Sequence, residues 1–300
     1  MKSLGMFKYF LGIEVVQSKQ GIFLSQRKYT LDLLSKFGLL DCKSANVPIQ
    51  QNHRLGEYPD QIPTDKGRYQ RLVGKLIYIS HTRLNIAYVV NVVSQFMHCP
   101  SEDHMNAVTQ ILRYLKGTLR RGIMFSKNGH LEIMRYTNVD WAKNISDKKS
   151  TSGYFRFVGG NLVTWRSRKQ KVMALSSAKA EFRGMAKGLC ELLWLRRLLT
   201  EIGFHPSCEM NLLCDNKAAI DIAHNSVQHD RTKHVDVNQH FIKQNLEAKI
   251  IQFPFFKSKD QLVDILTKVV CNKTFHNSLD KLGISNIYAP TWGGVWTWVV

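Results

Sequence analysis

Three hundred residues, 44% of them hydrophobic and only seven proline, exclude a low-complexity or collagen-like chain and leave room for two domains of ordinary size. Forty-two Lys and Arg against 23 Asp and Glu give a formal charge of +19, which repels itself in a compact fold and answers to a polyanion. Residues 1–130 carry 18 basic and 8 acidic groups and residues 131–300 carry 24 and 15, so a broad positive face is expected rather than a basic tail.

At the N-terminus, Glu14 breaks the apolar run behind Lys2 and Lys8 and no small-residue cleavage site follows, so no secretory signal is expected. Lys8–Val16 and Gly21–Leu24 read as two strands joined by a polar turn. An isolated hairpin is marginal, so these strands should belong to a larger sheet, much of it missing here. Lys28–Phe37 carries Leu31, Leu34 and Phe37 at helical spacing and stops at Gly38. Residues 44–65, with Pro48, Pro59 and Pro63, form a loop. Arg68–Ser80 and Ile86–Met97 are helical, split by a polar turn at His81-Thr82-Arg83. Asn91, Ser94 and Gln95 interrupt the second, which falls short of the roughly 20 apolar residues a membrane span needs. Ser101 then caps a third helix, with Glu102 and Asp103 in its positive first turn and Gly117 at its end.

From about residue 131 the pattern changes. Leu131–Thr137, Thr151–Val158, and Leu162–Trp165 with Lys171–Leu175 read as three strands, the last two joined across Gly159-Gly160. A long helix runs from Ser177 to Ile202 and ends at Gly203. Met210–Cys214 and Lys249–Pro254 are further strands, with short helices at Lys217–Ala223, His240–Leu246 and Gln261–Val269. Three strands, a helix, then alternating strands and helices predict an α/β domain with a mixed sheet flanked by helices. Six cysteines without a CxxC pair are expected as free thiols, several of them buried, in a cytoplasmic or nuclear and not a secreted protein.

Carboxylates are scarce, so their placement is informative. Asp140 lies just past the first strand of this region, Glu181 in the first turn of the long helix, Asp215 at the end of the fourth strand, and Asp264 on the closing helix. Any one of them alone is explained as a cap or a surface charge. Together, at strand ends in a basic protein, they suggest a Mg2+ site, with Mn2+ as a substitute, for phosphodiester chemistry. Arg166, Arg168, Lys169 and Lys171 sit in the strand hairpin beside the presumed nucleic-acid face and are candidate phosphate contacts. His224, His229, His234 and His240 match no common zinc-finger spacing.

Ordered blocks then identify a family resemblance. They include Lys8–Val15 (KYFLGIEV), Gln26–Tyr29, Leu72–Tyr78 (LVGKLIY), Thr82-Arg83, Ser94–Met97, Arg113–Thr118 (RYLKGT), Asp140–Ala142, Ser150–Tyr154 (STSGY) and Ser167–Gln170. Ala180–Phe182, Cys214–Ile220 (CDNKAAI), Thr232–His234, His240–Ile242 and Leu262–Lys268 continue the series. Over about residues 4–290 the chain resembles the C-terminal part of Ty1/copia-type retrotransposon Pol polyproteins: the end of the reverse transcriptase followed by the ribonuclease H domain. The resemblance implies a remnant of the reverse-transcriptase palm hairpin at 1–27, a helical thumb or connection region at 28–125, a ribonuclease H-like domain with a five-stranded mixed sheet at 131–285, and a disordered Trp-rich tail at 286–300. It implies an RNA–DNA hybrid as partner, together with the rest of a Pol polyprotein.

The family's ribonuclease H site uses four carboxylates, and the resemblance places three of them at Glu181, Asp215 and Asp264. Where the family shows Ser-Asp-Ala-Asp-Trp, this chain has Thr137-Asn138-Val139-Asp140-Trp141, so the metal-bridging aspartate is Asn138. Asp140, two residues on and about 6–7 Å along the same strand face, is the candidate to replace it. Leu84-Asn85 stands where Thr-Arg-Pro-Asp is usual, removing a helix-starting proline and a cap aspartate. No Tyr-x-Asp-Asp polymerase motif occurs; the palm's catalytic part is expected upstream, with Met1 an internal methionine of a longer frame. Two functions follow. One is a nucleic-acid-binding remnant with impaired or lost catalysis, which the charge lost at Asn138 favours. The other is an active Mg2+-dependent endonuclease cutting the RNA strand of a hybrid.

Overall fold

The computed structural model describes residues 9–51, 53, 55–142, 148–170, 173–224 and 233–286, the last stretch without side chains up to 236. Its strands and helices in chain order are β1 (Tyr9–Phe10), β2 (Ile13–Gln17), β3 (Gly21–Ser25), α1 (Arg27–Lys36), α2 (Lys66–Ile79), α3 (Ala87–Ser94), α4 (Glu102–Gly117) and β4 (Arg121–Ser126). There follow β5 (Ile133–Asp140), β6 (Thr151–Val158), β7 (Asn161–Lys169), α5 (Ser177–Glu201), β8 (Met210–Leu213), α6 (Lys217–His224) and α7 (Lys233–Glu247). The chain ends in β9 (Ile251–Gln252), α8 (Asp264–Thr267), α9 (Asn272–Lys281) and β10 (Ile284–Asn286). It divides into two compact units, residues 1–127 with 269–300, and residues 128–268. No helix among the described residues is long and apolar enough to cross a membrane.

The first unit corrects two expectations. The N-terminal hairpin belongs to a larger sheet, as expected, but its partners come from this chain: β3 pairs with β4, and β4 with β10, in a five-stranded antiparallel sheet of order β1-β2-β3-β4-β10. The hairpin and the helices behind it therefore form one unit rather than separate segments meeting at residue 27. Residues 272–286 join it too, although the sequence assigned them to the second domain. Ile284 pairs opposite Ile123, and Phe275 meets Tyr114 edge-on with centroids 6.1 Å apart. Phe275, Leu279 and Ile284 are buried there, which is why this segment leaves the second unit at residue 268. Of the expected disordered tail, 286–300, Asn286 is instead the last residue of β10, and residues 287–300 lie outside the described residues.

Helices α2 and α4 follow their sequence signals closely, whereas α7 starts at Lys233 rather than His240 and the helix expected over Gln261–Val269 is only Asp264–Thr267. Asp65 caps α2, its Oδ1 accepting from the Arg68 backbone N–H at 2.9 Å, and Tyr69, Leu72, Val73 and Leu76 bury one face. Ser101 caps α4 in a reciprocal box whose other member is His104 rather than the usual Glu or Gln. His104 Nδ1 accepts from the Ser101 backbone N–H at 3.0 Å, Nε2 faces the Gly56 carbonyl at 3.1 Å, and the ring stacks on Phe96 at 3.8 Å. Burial lowers its pKa below the ordinary 6.5, so the unfolded chain takes up the proton first. Stability from His104 is therefore complete above pH 6.5 and lost as pH falls below it. The denaturation midpoint of the intact chain should drop on acidification across this window, and His104→Gln should flatten that drop.

In the second unit the sheet order is β7-β6-β5-β8-β9, with β5 antiparallel to β6 and parallel to β8. This is the five-stranded mixed sheet expected. β5 alternates buried and half-buried positions along its whole length, the period-2 signature of a strand with two unlike faces. Thr137 and Val139 face α5, whose Gly184 allows the close approach. Phe182, Met185, Leu189 and Leu192 of α5 pack on Ile133, Met210, Leu212 and Ile251, and Ile242 of α7 closes the core. Burying such side chains contributes about 1.5–3 kcal/mol each before chain entropy is counted. β7 runs unbroken to Lys169, and residues 173–175 are not strand, so the third strand is longer at one end and shorter at the other than expected. All six cysteines are free, but only Cys214 is buried, fewer than the sequence suggested.

Candidate functional site

The site is built where β5, antiparallel to β6 and parallel to β8, ends beside α5 and α8. Asn138 stands opposite Gly153 of β6, and Gly153 opposite Ser167 of β7, so the three share a face. A Cβ on Gly153 would lie 2.9 Å from Leu266 Cβ, Thr267 Cγ2 and Val263 Cγ1. The missing side chain is what lets α8 rest on the sheet and bring Asp264 to Asn138. Gln261 Nε2 ties the approach to α8 down by donating to the Thr137 carbonyl at 3.1 Å. Gly153→Ala should therefore lift α8 and cost about 1–3 kcal/mol, read from urea denaturation of the full chain.

Asn138 donates from Nδ2 to Asp264 Oδ1 at 2.7 Å and to Thr267 Oγ1 at 3.3 Å. Lys268 Nζ lies 2.9 Å from Asp264 Oδ2. Both oxygens of Asp264 are thus engaged, one by an amide and one by an ammonium. Burial raises the Asp264 pKa, Lys268 opposes that rise, and the charges of Asp215 and Asp140 add to it.

α5 starts at Ser177, where the sequence placed it, behind its Ser176 cap, so Glu181 is its fifth residue and opens the second turn rather than lying in the first. It is buried, with Oε1 accepting from the Val139 backbone N–H and Oε2 shielded and without a partner. Burial pushes its carboxyl up to about 8, with the Asp215 charge pushing the same way. Asp215 follows β8 as expected, past Cys214, which bridges to Phe255. Burial and the Glu181 charge push the Cys214 thiol up, so it stays neutral beside the carboxylates. Asp140 is the last residue of β5 rather than past its end, because the strand runs three residues beyond Thr137. It pairs opposite Thr151, with the β5–β6 register unbroken from Ile133.

The four carboxylates therefore sense one another: Asp215 acts on Glu181 and Asp264, and Asp140 on Asp264. As a donor set for two divalent ions the arrangement is poor. The orphan Glu181 oxygen is an available ligand atom, but burial favours its protonated form at neutral pH. Asp264 has both oxygens taken, and Asn138 turns a hydrogen-bond donor toward it. Among the described residues no three His, Cys, Asp or Glu side chains are grouped to hold a metal ion. The residues as they stand do not fit a pair of divalent cations.

The candidate phosphate contacts divide between the faces. Lys169 lies opposite Thr151, itself opposite Asp140, and so shares the carboxylate face. Arg166 and Arg168 pair with Tyr154 and Ser152, on the side that faces α5, and are exposed on the outer strand. Lys171 lies outside the described residues. The sequence reading missed Lys268, Thr267, Gln261 and Gly153. Lys268 was detectable as the cation four residues after Asp264, and Gly153 as a glycine in mid-strand.

No protein-family model matches the chain. It is 38% identical over 287 residues to a retrovirus-related Pol polyprotein from transposon RE2 of Arabidopsis thaliana, a match covering 96% of this chain and 20% of that protein. It is 34% identical to the corresponding polyprotein from transposon TNT 1-94 of Nicotiana tabacum, over 95% of this chain and 22% of the relative. The chain thus spans about a fifth of the length of these curated relatives. Among solved structures, LC11 ribonuclease H1 in complex with an RNA/DNA hybrid is similar over 49% of this chain and 99% of that one, with a TM-score of 0.35 and 15% identity. The chain belongs to the family of Ty1/copia-type retrovirus-related Pol polyproteins.

Proposed function

We propose that this chain is a retrotransposon-derived RNA–DNA hybrid-binding protein of ribonuclease H type whose catalysis is impaired or lost. The observation that carries the reading is the Asn138 amide, which donates to Asp264 where the family resemblance implies a metal-bridging carboxylate. An amide supplies one neutral carbonyl oxygen, and here its N–H2 end faces the site. Asp140 shares the Asn138 face but is one residue pair further along an unbroken register, and its effect on Asp264 is repulsion.

Binding is supported by other groups. The +19 charge, Lys169 on the carboxylate face and Lys268 beside Asp264 supply cations for phosphates, and Arg166 and Arg168 extend the positive edge along β7. The protein works in the cytoplasm or nucleus, in keeping with six free thiols. It acts with, or in place of part of, a larger Pol polyprotein. Mg2+ or Mn2+ would be the cofactor of the ancestral site, held by Glu181, Asp215, Asp264 and the residue at 138 or 140.

Anisotropy titration of a short hybrid at rising salt tests the binding reading. Affinity should fall by at least about 100-fold between 50 and 200 mM salt, and a flat profile would remove the hybrid from consideration. The second reading, an active Mg2+-dependent endonuclease, is favoured by the unpartnered Glu181 oxygen. Hybrid cleavage by the unmodified chain, abolished by Asp215→Asn, decides in its favour.

A further inference from the structure

Among the described residues, the first unit buries cationic charge with no carboxylate paired to it. Arg83 follows the turn after α2 and is only 2% exposed. Its Nε donates to Asn85 Oδ1 at 3.3 Å and its Nη2 to Thr118 Oγ1. Asn85, also buried, donates from Nδ2 to the Tyr114 hydroxyl at 2.6 Å. The Thr118 hydroxyl donates to the Tyr114 carbonyl at 2.9 Å. Every named partner of the Arg83 guanidinium is neutral.

A second arginine, the half-buried Arg121, adjoins the same threonine. The Thr118 carbonyl accepts from the Arg121 backbone N–H at 3.1 Å, so one threonine links the Arg83 side chain to the start of β4. Arg121 Nη1 is shielded from solvent and has no hydrogen-bond partner. The two charges act on each other: burial first, and Arg121 after it, lower Arg83 to about 10, with Tyr114 opposing. Arg121 also disfavours the protonated form of His276 on α9, which burial lowers and Asp280 opposes. Among the described residues no Asp or Glu forms an ion pair with Arg83 or Arg121. Buried charges are ordinarily paired, and a shielded donor without a partner in a native fold points to a water or an ion. A neutral water would satisfy the orphan N–H and leave the two like charges uncompensated.

We propose that a small monovalent anion of the chloride class binds between Arg83 and Arg121, accepting from Arg121 Nη1. The single orphan donor suits a monoatomic ion, since a sulfate or phosphate would bring further buried oxygens needing donors of their own. The sequence departure at residue 85 agrees with this. The resemblance places an aspartate there, and Asn85 keeps the contact to Arg83 while dropping the charge. The anion restores it.

Thermal unfolding of the full chain at constant ionic strength, with chloride exchanged for gluconate, tests the site. Chloride should raise Tm by about 4 °C, as binding to the folded state alone requires. Asn85→Asp should unfold at a higher temperature than the parent chain in gluconate and show no chloride increment, and Arg121→Gln should lose the increment as well. In crystals grown with bromide, an anomalous peak between Arg83 and Arg121 is expected. Equal Tm in the two salts overturns the proposal. So does an increment that survives in both variants, or bromide found only elsewhere.

Discussion

Asn138→Asp should raise Mg2+-dependent cleavage of the RNA strand of a hybrid on the order of 100-fold or more above the unmodified chain, in line with the cost of removing one charge-stabilising group from an active site. The expectation follows from the contact it changes. The amide now donates to Asp264 Oδ1 at 2.7 Å, and a carboxylate in its place turns that hydrogen bond into repulsion between two anions. At about 4 Å and an effective dielectric near 20 such a pair repels by about 4 kcal/mol, which a divalent cation between them relieves. The variant should therefore be less stable than its parent without metal and regain stability with millimolar Mg2+ or Mn2+, while the parent shows little response. Gel assay of hybrid cleavage and Tm with each ion check the two halves separately. A metal-dependent rise in Tm without cleavage would mean that 138 is the ligand position but that another part of the machinery is also damaged. Neither effect would mean that 138 is not the missing carboxylate.

What could be read beforehand follows the range of the interaction. Signals carried within a few residues were legible: the Ser101 cap, the long helix from Ser177 closed by Gly203, and the alternation along β5 that sends Asn138 and Asp140 to one face. The order of carboxylates was legible because each matched a local block. Features set by distant pairing were not. Ile284–Asn286 is three residues long and acquires its meaning only by lying against β4, more than 150 residues earlier in the chain. Arg121–Ser126, with a glycine at its second position, gave no strong strand pattern, yet Gly122 is required because a Cβ there would lie 2.3 Å from the Leu24 carbonyl. Arg83 read as part of a polar turn because charge in a turn is ordinarily solvated, whereas packing of α4 and β4 around it makes it one of the most buried side chains of its unit. Asn85 likewise read as a lost cap, and the structure shows instead a buried partner of Arg83 and Tyr114. In both units an asparagine thus stands where the family resemblance puts an aspartate, each time beside a buried or partly buried network. At residue 138 the change removes ligand charge from a site that needs it, and at 85 it removes the counter-charge of a cation.

Glu181→Gln should stabilise the second unit by about 3–4 kcal/mol at alkaline pH and have little effect in acid. Burial holds the Glu181 carboxyl at about 8 against 4.5 in the unfolded chain, so the folded state keeps the proton more tightly. A raised folded value means that the stability is fully present below 4.5 and is lost as pH rises, the loss being complete above about 8. The full difference is on the order of 5 kcal/mol, large beside the 5–15 kcal/mol of a typical domain. Glutamine keeps an oxygen for the Val139 N–H and cannot ionise, so it removes the penalty without removing that contact. Urea denaturation of both chains at about pH 5 and about pH 9 measures the effect as a difference of differences, which cancels any change common to both. The same experiment reports on the metal. A divalent ion bound at Glu181 would stabilise its charged form and flatten the parent's pH dependence, so millimolar Mg2+ should leave the slope unchanged if the site has lost its ions. In the Asn138→Asp background the slope should shrink on adding Mg2+, because the restored carboxylate brings back the cation that a buried, charged Glu181 requires. A parent chain whose slope already shrinks with Mg2+ would show that three carboxylates suffice to hold the ion, and would return the active endonuclease to first place.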